Sequence, residues 1–373
     1  MNWGLGISIF GYKVVFMVKI CNCSKEEFKK ILQLKNVVGV CAGVDFINFC
    51  KEYQCFKVKY VVDNNKKNNI VLGEHIIYPI SFAELNNVID ENTILVLSSL
   101  LYSDEILKQL DRTPILNGIE TYIPQLIEAD SQTSDLPACD VFTKIPTKIH
   151  YCWFGKNEIP DEFKRYIDTW YKKCPNYEII RWDESNYDIT KNEYMYEAYK
   201  CKKWGFVPDY ARLDIVYEHG GFYLDTDVEL LQSLDRLRDY SFVCGFESSQ
   251  YIALGLGFGA VAHNRYVNGM MKMYDELHFM PSDGVMNQTA SPEYQTRYWL
   301  KQGLKLDGSL QLINDNLILS REYLCPVDTL GNGEPSTNSI SIHHYAGTWL
   351  DGEIQAQKKR KIENRRMLLQ RIM

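Results

Sequence analysis

From Pro208 to Glu229 the sequence reads as a helix, a double glycine, a short apolar strand and two aspartates one residue apart. Proline suits a helix start, where its missing N–H would have no intrahelical partner. Gly220-Gly221 supplies the left-handed backbone that ends a helix. A helix that gives way at once to Phe222-Tyr223-Leu224 belongs to an α/β sheet, and the strand delivers Asp225 and Asp227 at its tip. Residues i and i+2 of an extended segment face the same side, so both carboxylates converge on one spot. Two such charges repel unless something positive sits between them. A divalent cation with oxygen ligands answers that need and can also hold phosphates. Two solvated turn carboxylates are the plainer alternative when the pair is taken alone.

At 373 residues the chain is long enough for two domains. A net charge of −7 argues against bulk nucleic-acid binding. The 11 cysteines form no CxxC pair and no ligand-spaced cluster, so they read as reduced thiols of a cytosolic protein, and no zinc site is expected. The apolar run from Trp3 to Ile20 is broken by Lys13 and lacks a basic leader and a cleavage site, so neither a signal peptide nor a membrane span is expected. Regular patterning begins just after Met17, a candidate natural start.

Residues 1–124 alternate between helix and strand signals, which implies a parallel sheet. Ser24 with Glu27 and Ser81 with Glu84 are capping-box pairs; strands are expected at Val37–Val40, Phe56–Val62 and Thr93–Leu97, and a helix opens at Ser103. This part resembles the small Rossmann-like domain found beside many bacterial sugar-modifying enzymes. Its glycines run Gly39-x-x-x-Gly43 rather than G-x-G-x-x-G, with Asp63 about 20 residues on. Dinucleotide binding and a packing or regulatory role both fit. A polar linker spans 125–144, and a second domain covers 145–373 with a basic C-terminal helix around Lys358 to Arg366. That helix reads as a solvated surface element, with a membrane-facing basic patch as the alternative.

In the second domain, the strand that begins at Ile145 ends in Trp153-Phe154-Gly155, where an aromatic ring could stack on a nucleobase or pack in the core. Asp209 and Arg212 share one helix face, suited to holding phosphate or a sugar hydroxyl, or to a weak surface ion pair. The glycines of Gly255-Leu256-Gly257-Phe258-Gly259 permit close backbone approach to a ligand but lack the Gly-Lys-Ser/Thr of a phosphate loop. Glu247 and Asn287-Gln288 are candidates for the acceptor side or the reaction centre.

Taken in order, IPxxIHxxWFG from Ile145, DxxR from Asp209, GGxYLDxDxE from Gly220 and HHxxGxW from His343 resemble glycosyltransferases with a DxD sugar-binding region, of the α-mannosyltransferase and capsular-polysaccharide type. The resemblance covers about residues 145 to 350. It implies a GT-A fold for the second domain, and so an α/β chain in two parts. It also implies retaining transfer from a nucleotide sugar, with Mn²⁺ or Mg²⁺ as cofactor. Carried over by motif, Trp153 and Phe154 would lie at the base, Asp209 and Arg212 at the donor sugar, and Tyr223 and Gly257 in the substrate site. Asp225 and Asp227 would hold the metal, His344 would reach the metal or a phosphate, and Trp349 would donate its indole N–H to phosphate. Thr348 replaces a commoner Ser and keeps the hydroxyl, whereas Ser291-Pro292 stands where the family often has Thr-Gly-Pro.

The resulting expectation is a metal-dependent transferase, with Asp209, Arg212, Asp225 and Asp227 as its catalytic set. Its donor would be a nucleotide sugar, UDP-linked by family breadth. Its acceptor would be a growing capsular or lipopolysaccharide glycan, free or lipid-linked. A cytoplasmic protein in peripheral contact with the inner face of a membrane fits that role. An aspartyl-phosphate phosphatase, with Asp225 as nucleophile, and a non-catalytic nucleotide-sugar or glycan-binding module are the competing readings.

Overall fold

The computed structural model of the chain describes residues 17–54, 57–65, 68–127, 135–139, 143–281, 284–347 and 352–372. The apolar leader before Met17, the linker run 129–134, Thr348 and Trp349 lie outside the described residues. The chain divides into two compact units, Met1–Asp130 with Gly352–Met373, and Ser131–Asp351.

The first unit holds β1 (Lys19–Cys21), α1 (Lys25–Leu34), β2 (Asn36–Val40), α2 (Val44–Glu52), β3 (Val58–Val62), β4 (Ile70–Leu72), β5 (His75–Ile80), β6 (Thr93–Leu97), α3 (Ser103–Leu110) and β7 (Glu120–Tyr122). Its sheet runs β1-β7-β6-β2-β3-β5-β4, parallel throughout except for the β4–β5 hairpin. The Ser24–Glu27 and Ser81–Glu84 capping boxes both form, the second over a 3-10 turn. Gly39 is a packing glycine: a Cβ there would stand 2.2 Å from the Phe46 ring, so α2 lies directly on β2. Asp63 accepts the amide of Ala42 at 2.8 Å and that of Asn65 at 2.8 Å, tying down the loop after β2.

The second unit holds β8 (Lys148–Cys152), α4 (Asp161–Lys173), β9 (Glu178–Trp182), α5 (Glu193–Lys200), α6 (Pro208–His219), β10 (Gly221–Tyr223), β11 (Val228–Leu230), β12 (Phe242–Phe246), β13 (Ile252–Ala253), β14 (Phe258–Ala260), α7 (Arg265–Met271), α8 (Ser291–Leu300), β15 (Gln311–Ile313), β16 (Asn316–Leu319), α9 (Arg321–Leu324) and β17 (Ser341–His343). The main sheet runs β15-β16-β12-β14-β10-β8-β9 with β13 beside β12, and β11 pairs with β17 in a separate ribbon. Strands β9, β8 and β10 are parallel; β14 runs against both β10 and β12, so β12 and its parallel partner β16 point the same way as β10. Polar residues that follow β8, β10, β12 and β16 therefore gather at one edge of the sheet, the usual place for a ligand in an α/β fold.

Helix α10 (Gly352–Ile372), expected as the end of the second domain, belongs to the first unit instead. Leu368 is buried, Asn364 donates to the carbonyls of Leu100 and Leu101, and Arg371 pairs with Asp111 at 3.2 Å. Among the described residues no helix is long and apolar enough to cross a membrane.

Candidate functional site

Helix α6 is buried almost all round, from Asp209 to Val216, because β8, β10 and β14 of the sheet and helices α5 and α7 enclose it. The surface ion-pair reading of Asp209 and Arg212 therefore fails: both side chains are nearly inaccessible. Arg212 Nη2 reaches Asp209 Oδ1 at 3.1 Å, Nη1 stands 3.6 Å from Asp225 Oδ2, and Nε donates to the Pro208 carbonyl at 2.9 Å. The guanidinium lies over the ring of Tyr223, 5.1 Å from its centroid. A desolvated arginine shared by two carboxylates is costly to break and fixes the geometry of all three groups.

The turn from α6 into β10 needs its glycines. Gly220 and Gly221 have φ of +60° and +101°. A Cβ on Gly221 would stand 2.9 Å from the Lys148 carbonyl, so the strand can lie close to β8 only with glycine there. His150, fully buried on β8, bonds the Gly220 carbonyl at 2.9 Å and accepts the Trp182 indole N–H at Nδ1, 3.1 Å away. That arrangement fixes a neutral imidazole, and burial pushes its pKa down to about 4.

Asp225 and Asp227 emerge beside β17. The ligand atoms of Asp225, Asp227 and His343 all lie within 4.8 Å of one another. His343 Nε2 is 3.2 Å from Asp227 Oδ1, the Ala346 amide donates to Asp227 Oδ2 at 2.8 Å, and the His344 amide donates to the Asp227 carbonyl at 2.9 Å. Burial raises the Asp225 carboxyl despite Arg212. Burial also works against Asp227, but the His343 charge and the hydrogen bonds from His343 and Ala346 outweigh it and hold this carboxyl well below the usual range. His343 is raised in turn, Asp227 overcoming its burial. Deeper in, burial pushes Asp209 up to about 6 against the pull of Arg212.

His343 approaches the aspartates; His344, expected at the metal, does not. Consecutive residues of an extended strand point to opposite sides, and the pairing of His343 with Val228 sends His344 outward. There its ring stacks on Tyr166 at 4.1 Å and its Nε2 meets Glu229 at 2.9 Å. Phe154, expected at the base, is a core residue packed against Tyr187, whereas Trp153 is half-buried at the end of β8 with its indole N–H on the Asn157 carbonyl. Tyr223, also expected at the substrate, is buried and serves as the platform under Arg212. Trp349 lies outside the described residues. Gly257, with φ of +124°, packs against Leu224; the glycine that meets the site is Gly255, whose Cβ would stand 2.4 Å from Asp225 Oδ2 and 3.1 Å from Arg212 Nη1.

At the same sheet edge Glu247 follows β12, raised by burial against the pull of His343 and Arg321, with Tyr345 hydrogen-bonded to it. Tyr345 also contacts Cys325 Sγ at 2.8 Å and the His343 ring at 4.3 Å. Arg321, which the motif pattern does not single out, follows β16, so only sheet order reveals its nearness to Glu247.

The donor set suits a divalent cation. Two carboxylates suit Mg²⁺ or Mn²⁺, and the imidazole beside them favours Mn²⁺ of the two. His343 turns its Nε2 toward Asp227, and Gly255 carries no Cβ that would push the Asp225 carboxylate aside.

Residues 160–243, which carry Asp209, Arg212, Asp225 and Asp227, match the family described as the glycosyltransferase sugar-binding region containing a DXD motif. The chain is 27% identical over 126 residues to subversion of eukaryotic traffic protein A of Legionella pneumophila, covering 26% of this chain and 19% of that protein. It is 28% identical over 131 residues to inositol phosphoceramide mannosyltransferase 3 of Schizosaccharomyces pombe, covering 34% and 36%. The chain thus spans only a minor part of these relatives. Among solved structures, the PaToxG glycosyltransferase is similar with a TM-score of 0.34 at 14% identity, over 43% of this chain and 70% of that one.

Proposed function

We propose that this chain, which carries the DXD sugar-binding region of glycosyltransferases in its second unit, is a metal-dependent retaining glycosyltransferase of GT-A type that uses a nucleoside-diphosphate sugar. The observation that carries the reading is the convergence of Asp225, Asp227 and His343 on one point beside the buried Asp209–Arg212 pair. Asp225, Asp227 and His343 would hold the cation, with His343 surrendering its proton to do so. The bound cation supplies Lewis-acid stabilisation of the departing diphosphate.

The protein's own contribution is positional. Arg212, clamped by Asp209, holds Asp225 in place and lends positive charge to the diphosphate side. Asp209, itself nearly inaccessible, would act by orienting that guanidinium toward the donor side. Trp153, at the same sheet edge, offers a ring for the base. Asp225 is ion-paired to Arg212, which suits a ligand-holding role rather than the nucleophile of a phosphatase. A UDP-sugar donor and a glycan or lipid-linked acceptor in surface-polysaccharide synthesis complete the reading; the mannosyltransferase relative, named for a phosphoceramide, supports a lipid-linked acceptor. Incubating the protein with a panel of nucleotide sugars, with and without Mn²⁺, tests it by the release of nucleoside diphosphate. Release of phosphate from simple phosphomonoesters would favour the phosphatase reading instead.

A further inference from the structure

The first unit contains a cavity of about 170 Å³ that the transferase reading does not use. It lies where β2 and β6 end side by side. After β2 the chain leaves through α2 to β3 on one side; after β6 it leaves through α3 to β7 on the other. The two exits diverge and open a crevice at the carboxyl ends of the strands. That is the topological switch point of a parallel sheet, where open α/β folds bind ligands.

The walls indicate what fits. Val44 and Tyr102, 71% and 51% exposed, put apolar surface at the cavity that no core contact requires. Lys361 of α10 brings a positive charge to the same cavity, and Asp45 brings a carboxylate. Gly43, the N-cap of α2, provides no side-chain cap, and a Cβ built on it would meet nothing within 4 Å. A flat apolar body, an anion and sugar hydroxyls are the three features that would satisfy these groups together: a ring against Tyr102, a phosphate between Lys361 and the uncapped helix start, and hydroxyls donating to Asp45.

We propose that this crevice is a second ligand site, for a nucleoside monophosphate or the corresponding half of a larger nucleotide, separate from the DXD site. Asp63, the residue that spacing puts at a ribose, is engaged with the Ala42 and Asn65 amides, and Asp45 takes its place.

The test uses the full chain in EDTA, with AMP and UMP as probes and hydrogen exchange of residues 41–47 and 99–103 as a local readout. Millimolar nucleotide should slow exchange in both segments. Gly43→Asp should weaken that protection at least about tenfold by putting a carboxylate at the phosphate position. Its backbone, with φ of −76°, accepts any residue, and aspartate is a favoured N-cap, so the thermal midpoint should hold or rise. Lys361→Gln should weaken binding in the same direction. No protection with either nucleotide, protection unchanged in Gly43→Asp, or equal protection by inorganic phosphate alone would overturn the assignment. Sugar transfer is not read in this experiment, so the fate of the transferase reading does not decide it.

Discussion

Gly255 and Asp225 are in contact across the site: an ideal Cβ at residue 255 would stand 2.4 Å from Asp225 Oδ2. The Gly255 carbonyl also faces the Asp225 amide at 3.4 Å, so neither backbone can withdraw cheaply. Gly255→Ala should therefore displace the Asp225 carboxylate while the chain remains folded. Transfer should fall by at least about tenfold, since a positional error of an ångström is costly in a pre-organised site. Steady-state kinetics paired with circular dichroism checks it; wild-type turnover in a folded variant would show that Asp225 has slack.

The two adjacent histidines should separate cleanly. His343→Ala removes a candidate ligand and should weaken Mn²⁺ affinity by about 100-fold. His344→Ala loses a ring stack on Tyr166 and a contact with Glu229, neither at the cluster, so its metal affinity should stay within a few-fold of wild type. Metal titration monitored by calorimetry distinguishes them, and the reverse ranking would restore His344 as the ligand.

Arg212 is the only cation paired with both Asp209 and Asp225 among the described residues. Arg212→Met leaves both carboxylates without it, one of them buried, and should cost about 3–5 kcal/mol of stability as well as activity. Arg212→Lys keeps the charge but not the fork, so it should recover stability better than turnover. Urea denaturation and kinetics on the two variants test this; equal losses of both properties in Arg212→Lys would contradict it.

His150 sets a pH dependence away from the reacting groups. Its folded pKa is lowered to about 4 from 6.5. The unfolded chain therefore binds the proton first, and the stability His150 contributes is complete above the unfolded value and lost as pH falls toward the folded one. Between about pH 7 and about pH 5 the loss should be about 2 kcal/mol. Denaturation of the wild type and of His150→Gln at both pH values isolates it; the same pH slope in both proteins would assign the effect elsewhere.

What could be read in advance was local. Capping boxes at Ser24 and Ser81, the helix from Pro208 and the aspartates after Leu224 depend on neighbours a few residues away, and the structure has each of these elements. Residues whose role depends on register or distant packing were not legible. His343 is selected over His344 by pairing with Val228, more than a hundred residues earlier. Gly255 rather than Gly257 meets Asp225 because of how the 3-10 turn at Leu254–Leu256 presents its backbone. Helix α10 finds its unit through Arg371 and Asp111, 260 residues apart. Tyr223, carried to the substrate site by the motif, instead lies with its ring under Arg212.

The proposed metal site for nucleotide-sugar transfer consists of Asp225, Asp227 and His343. The most direct measurement is nucleoside-diphosphate release from UDP-sugars by wild type and Asp227→Ala, each with Mn²⁺ and with EDTA. Release is expected only from the wild type with Mn²⁺, with Asp227→Ala folded and inactive. Metal-independent release, or wild-type turnover in Asp227→Ala, would contradict it.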